Sequence, residues 1–276
     1  MTSDHPDDSR VRVTAIVQSF NHEAYVARAL ESAVSQRGVG TYEVLVGDDA
    51  STDGTRDVIE AYARRYPDLI RTVLPPRNMG GAGKVLFSEL IRLSRGDYIA
   101  VLDADDYWTS DEKCRIQADY LDRNPQCSMV FHNVMRQHEG DRRQDRLFNP
   151  PRQPTRITRS HLYRYNPVAA CSPMFRREVI SPLPEWYFDS PWGDWPLYFL
   201  ASEAGEIHYL PDVLGAYWIH DAGVYSGLGR IGQVSEEVAF FKVLPTGEAE
   251  QHVRRQRLAQ ALGSQAYEHL RLGQWT

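Results

Sequence analysis

Cysteine is scarce in this chain of 276 residues: Cys114, Cys127 and Cys171 stand far apart and form no Cys-x-x-Cys pair. A zinc ribbon and a redox dithiol are excluded by that pattern, which suits buried, reduced thiols in a cytosolic protein. No apolar run approaches the roughly 18 residues of a membrane span. Residues 1–10 are polar and acidic, the reverse of a secretory leader. A frayed tail is expected there, on a cytoplasmic protein, peripheral at most to the inner membrane face. The net charge is −6 with lysine and arginine dispersed, so no basic stripe marks a nucleic-acid partner. Two phosphate-binding signatures are also missing. There is no Walker A spacing, and no Gly-x-Gly-x-x-Gly follows the first apolar strand, which argues against a dinucleotide-binding Rossmann protein. No internal repeat is visible.

What is present is a core-forming chain, 42% hydrophobic and long enough for one large α/β domain or two small ones. Apolar, β-branched runs over 11–18, 42–47, 70–74 and 98–102 predict four strands. Helical spacing over 23–36, from Thr55 onward and over 85–93 predicts three helices between them. Such alternation implies a parallel sheet covered by helices on both faces. Ligands of these sheets bind beyond the carboxyl ends of the strands. Ser19, Asp48, Asp49 and the cluster Asp103–Asp106 all fall at such ends.

The second half is less regular. A helix is expected over 113–123, a strand over 128–135, and a polar, proline-bearing loop or lid over 138–158. A strand over 169–175 and a helix over 195–204 follow. Two short strands, 207–210 and 213–219, are expected around Pro211-Asp212. From Val234 onward the composition becomes helical, interrupted near Pro245-Thr246-Gly247.

The most informative stretch is Asp97-Tyr98-Ile99-Ala100-Val101-Leu102-Asp103-Ala104-Asp105-Asp106-Tyr107-Trp108. Carboxylates crowded at the end of a buried strand repel each other unless a cation sits among them, and Mg2+ or Mn2+ with oxygen ligands suits that place. Alternate residues of an extended segment point to one side. Asp103 and Asp105 can therefore share a cation, or divide between a metal and a ribose. A solvated acidic loop is the plainer alternative. Asp48 and Asp49 at the second strand's tip can accept hydrogen bonds from a base or ribose, while Ser51, Thr52 and Asp53 read as a helix N-cap. In Asn78-Met79-Gly80-Gly81-Ala82-Gly83-Lys84 the glycines let backbone approach a ligand and Lys84 can neutralise phosphate; a plain loop before a helix fits equally well.

In this order, Val11–Asn21, Gly47–Thr55, Asn78–Gly81 and Gly96–Trp108 resemble the family 2 glycosyltransferases of the GT-A fold, over roughly residues 11–225. The resemblance implies a Rossmann-like, mostly parallel sheet flanked by helices, with a C-terminal helical segment. It implies an inverting transferase that takes a sugar from a nucleotide-sugar, a UDP-sugar being the family's common donor, with Mn2+ or Mg2+. Asp48 or Asp49 would then contact the base or ribose. Gln18 and Phe20 would line the base pocket, Asp103 and Ala104 would lie at the ribose, and Asp105 would bind the metal. Gly193-Asp194-Trp195-Pro196-Leu197 matches the family's acceptor-side acidic element, with glycine in place of a glutamate. Asp194 would be the general base, its proton affinity raised by Trp192, Trp195 and Tyr198, or else an N-cap for the following helix. Tyr217-Trp218-Ile219-His220 resembles the Tyr-x-x-His element, where His220 can reach the metal or diphosphate or serve only structure. Lys84 departs from relatives that often carry asparagine there.

The expected organisation is a tail (1–10), a donor-binding half (11–110), an acceptor-binding half of the same domain (111–230) and a helical extension (231–276) that packs on the core or forms a homodimer. The acceptor, a lipid-linked sugar or a small molecule, is expected to be chosen by the 138–158 loop and residues 160–195. Two rivals remain. A nucleotidyltransferase would want a glycine-rich, basic signature after the first strand, and Ser19-Phe20-Asn21-His22-Glu23 has none. A non-catalytic carbohydrate-binding protein would use Trp186, Trp192, Trp195 and Trp218 as platforms.

Overall fold

The computed structural model describes residues 10–140, 142–220 and 228–271. Its first half alternates as the sequence predicts: β1 (Val13–Ser19), α1 (Val26–Val34), β2 (Tyr42–Asp48), α2 (Thr55–Arg65), β3 (Ile70–Val73), α3 (Lys84–Leu93) and β4 (Tyr98–Asp103). These strands lie in the order β3-β2-β1-β4, all parallel. Alternate residues of each strand feed opposite layers. Ile16, Leu45, Ile99 and Val101 face the side where α3 places Leu86 and Leu90. Ala15, Val17, Val44, Val46 and Leu102 face the side where α1 places Ala29 and Leu30.

The second half continues the same sheet. Its elements are β5 (Tyr107–Trp108), α4 (Lys113–Arg123), β6 (Cys127–His138), β7 (Arg146–Leu147), β8 (Arg156–Ile157) and α5 (Arg159–Arg164), then β9 (Met174–Arg176), α6 (Arg177–Ile180), α7 (Glu185–Asp189), α8 (Trp195–Ala204), β10 (Glu206–Ile219), α9 (Arg230–Val243) and α10 (Gln251–Arg271). Beyond β4 the order runs β9-β6-β10-β5, so the sheet is mixed, with β9 antiparallel to both neighbours and β6 parallel to β10. This is the α/β architecture expected, with the helical C-terminal segment in place.

Three local expectations are corrected. The two short strands around Pro211-Asp212 are one strand, β10, whose pairing with β6 shifts register between Leu210 and Val213 and again before Gly215. A proline is compatible with a strand at such an irregularity. The strand expected over 169–175 shrinks to β9, because Ser172 N bonds to Ala169 O and turns the chain first. The 138–158 segment is fastened rather than lid-like. β7 pairs with β6 and β8 with β10, and Asn149 is buried, its N donating to Asn133 Oδ1 at 2.9 Å.

α9 docks through aromatic rings. Phe240 stacks on Trp195 at 5.2 Å and lies 5.1 Å from Trp192, while Phe241 stacks on Tyr163 at 6.1 Å. Among the described residues no helix is long and apolar enough to cross a membrane. Truncating the buried Phe240 to alanine should cost about 3–5 kcal/mol, by transfer and cavity terms, and thermal or denaturant unfolding measures it.

Candidate active site

The carboxyl ends of β1, β2 and β4 open onto a cavity of ≈ 480 Å³, lined on this side by Gln18, Phe20, His22, Asp49, Asp103 and Asp105. The acidic turn after β4 is held from several directions. Asp106 N bonds to Asp103 O at 3.0 Å, and Ala104 N bonds to Gln18 O at 2.9 Å. β5 then runs antiparallel to β10, pairing Tyr107 with Ala216. That pairing brings residues more than a hundred positions later to the turn. Trp218 N donates to Asp106 Oδ1 at 2.7 Å, and His220 Nε2 lies 3.2 Å from Asp105 Oδ2. From α1, the Arg28 guanidinium sits 4.1 Å over the Tyr107 ring and 4.3 Å over the Trp218 ring, and donates to Asp105 O.

The charges here are crowded. Burial, then the neighbouring Asp105 and Asp194, push the Asp103 carboxyl up to about 7. Burial with Asp105 and Asp103 lifts Asp106 well above the ordinary carboxylate range. His22 Nε2 lies 4.0 Å from Asp105 Oδ2, and burial lowers its proton affinity. Among the described residues no three acidic, histidine or cysteine side chains gather closely enough to hold a metal ion by themselves. Asp105 and His220 instead form a two-sided corner. Such a donor set fits Mg2+ or Mn2+ when substrate phosphates and water complete the oxygen shell.

The opposite wall comes from residues after β6. Asp194 precedes α8 and already has helical dihedrals, and its side chain makes no capping bond to that helix. The N-cap reading is therefore not what occupies this carboxylate. Asn166 Nδ2 donates to Asp194 Oδ2 at a long 3.4 Å. Burial raises its proton affinity, opposed by bonds from the Trp195 and Asp194 backbone, Asn166 and Tyr198. Asp103 and Asp194 face one cavity, so the two motifs converge.

Residues 14–183 match the family described as Glycosyl transferase family 2. The chain belongs to that family. It is 35% identical to an uncharacterised protein of Mycobacterium bovis, Mb1547, over 211 residues, which is 75% of this chain and 58% of that protein. The chain thus spans under two thirds of that relative's length. A putative teichuronic acid biosynthesis glycosyltransferase of Bacillus subtilis, TuaG, is 30% identical over 45% of this chain and 48% of its own. In fold, the chain resembles S. aureus TarS in complex with UDP (TM-score 0.64, 18% identity, 91% of this chain and 71% of that one). It equally resembles the mannosyltransferase PcManGT of Pyrobaculum calidifontis in complex with GDP-Man and Mn2+ (TM-score 0.64, 20% identity, 95% and 76%). The fold is GT-A.

Within this family 2 member, not every predicted residue faces the cavity. Asp49 does, its Oδ1 accepting from Met79 N at 2.7 Å. Asp48 turns inward instead. It is fully buried, pairs with Arg56 at 2.7 Å, and accepts from Ser51 N, Ser51 Oγ and Ser19 Oγ. Lys84 lines the cavity, and its Nζ also donates to the carbonyls of Phe188 and Ser190, tying α3 to the opposite wall. Gln18 lines the cavity while donating to Gly83 O at 2.8 Å, and Phe20 stands exposed at the mouth, whereas Ala104 is buried in the core and does not line the cavity. His22, Asn78, Tyr187 and Glu236 also line the cavity. The first two sit in or beside motifs, whereas Glu236 carries no sequence signal. Asp48→Ala should lower stability by about 1–3 kcal/mol by stranding its donors. Asp49→Ala should chiefly weaken UDP binding, so unfolding and calorimetry on both variants separate the two roles.

Proposed function

We propose that this transferase inverts configuration, moving a sugar from a nucleoside-diphosphate sugar, a UDP-sugar first among candidates, to an acceptor hydroxyl. The supporting observation is one cavity that joins the Asp105–His220 corner to Asp194, a desolvated carboxylate without a cationic partner among the described residues. Asp49, with Gln18 and Phe20, flanks the nucleoside. Asp103 lies at the ribose, and Asp105 with His220 would hold the divalent cation beside the diphosphate. That ion, when bound, supplies positive charge that stabilises the leaving diphosphate.

Asp194 accepts the proton of the acceptor hydroxyl. The acceptor oxygen bonds to the anomeric carbon from the face opposite the diphosphate. The old bond breaks with its electron pair on the diphosphate oxygen. A glycosidase working by inversion needs a second carboxylic acid to protonate its leaving group. A diphosphate leaves without one, so a single base suffices. The nucleotidyltransferase alternative loses ground, because no arginine lines the cavity among the described residues.

Calorimetric titration of UDP should show binding with Mn2+ that weakens strongly without it. Equal affinity in both conditions would remove the metal from the scheme. Asp194→Asn should abolish transfer while leaving UDP affinity intact. A base must be deprotonated, and burial raises this one, so transfer should fail on acidification at a higher pH than the ~4 of an ordinary aspartate. A pH–rate profile reads that limb directly.

A further inference from the structure

The acceptor end of the cavity has a composition that the donor end does not share. Its wall is built by Pro191, Trp192, Asp194, Tyr187 and, from α9, Glu236. Trp192 Nε1 donates to Glu236 Oε2 at 2.7 Å, and the Trp192 ring stacks on Trp195 at 4.9 Å. Glu236 and Phe240 stand four residues apart on α9, hence on one face of the helix. The face that docks α9 through Phe240 therefore also delivers the carboxylate. Lys84 steadies the same wall, since its ammonium bonds to Ser190 O and Ser190 Oγ accepts from Trp192 N at 3.1 Å.

Charge selects among acceptors. Among the described residues the acidic side chains Asp49, Asp103, Asp105, Asp106, Asp194 and Glu236 line the cavity, Asp103, Asp106 and Asp194 with raised proton affinity, against Lys84 and His22 as the basic groups. Neither Asp194 nor Glu236 forms an ion pair among the described residues. A phosphate brought to this wall would meet two carboxylates and no arginine fork to receive it. A neutral sugar meets an aromatic ring edge-bounded by a carboxylate that accepts from hydroxyls, an arrangement in which a few placed polar groups fix a largely apolar contact.

We propose that the acceptor is an uncharged sugar seated against Trp192 and Glu236, and that acceptors phosphorylated near the reacting hydroxyl are rejected. The inference rests on the transferase reading and goes beyond it by naming the acceptor class. It also makes α9 part of the active site.

The test uses the full chain saturated with UDP and Mn2+. Nitrophenyl glycosides of glucose, galactose, mannose and N-acetylglucosamine are titrated in, followed by the corresponding 6-phosphates, with binding read by calorimetry. At least one neutral glycoside should bind about tenfold or more tightly than its phosphate. Glu236→Gln keeps an acceptor for the Trp192 indole, and should narrow that ratio while UDP affinity moves by less than about twofold. Preference for the phosphates, or no neutral binder at all on UDP-loaded protein, overturns the proposal. So does a Glu236→Gln variant with a lower melting temperature and an unchanged ratio, which would make the residue a brace for α9. Failure of UDP itself to bind is read first and separately, and it sinks the transferase reading instead.

Discussion

Three carboxylates stand at the end of one buried strand, and the rest of the site is organised around their mutual repulsion. Asp105 raises the proton affinity of Asp103, and Asp105 with Asp103 that of Asp106, on top of the larger effect of lost water. In bulk solvent such a cluster would separate. Here β4 is locked between β1 and β9, and the turn is pinned by backbone bonds, so separation is not available. The unfavourable charge is held in place by favourable packing elsewhere, as expected where a binding site is preformed. A divalent cation would oppose that charge, and carboxylate oxygens are the ligand type it prefers.

Much of this could be read before any coordinates. The first half was legible because its strands are buried on both faces and its motifs are local. A run of β-branched residues followed by acidic ones defines both the element and the ligand end, as at Val44–Asp49 and Ile99–Asp105. The second half was less legible, for reasons tied to particular residues. Pro211 divides a pattern that the fold joins, because a shift in register accommodates it. Asp48 and Asp49 are chemically identical in sequence, and only Arg56, eight residues later, decides which one is consumed inside the protein. Lys84 lines the cavity as its motif suggested, but its bonds to the carbonyls of Phe188 and Ser190, a hundred residues away, left no trace in the sequence. Glu236 had no local pattern at all. Its place in the cavity depends on how Phe240 docks on Trp192 and Trp195.

The division of labour follows the same line. The portion matching the family, residues 14–183, contains the carboxyl ends of β1, β2 and β4. Asp194, His220 and α9 lie beyond it. The two portions meet at the acidic turn, where Trp218 and His220 reach Asp106 and Asp105, and at Lys84, which reaches Phe188 and Ser190. The 138–158 segment does not share in this, since among the described residues none of it lines the cavity.

The Arg28 guanidinium, lying against both Tyr107 and Trp218, gathers three elements at the acidic turn. It braces the acidic turn with a cation that belongs to the protein and never leaves. The shape of the corner therefore rests on a charge that is part of the chain, one side chain joining α1 to β5 and β10.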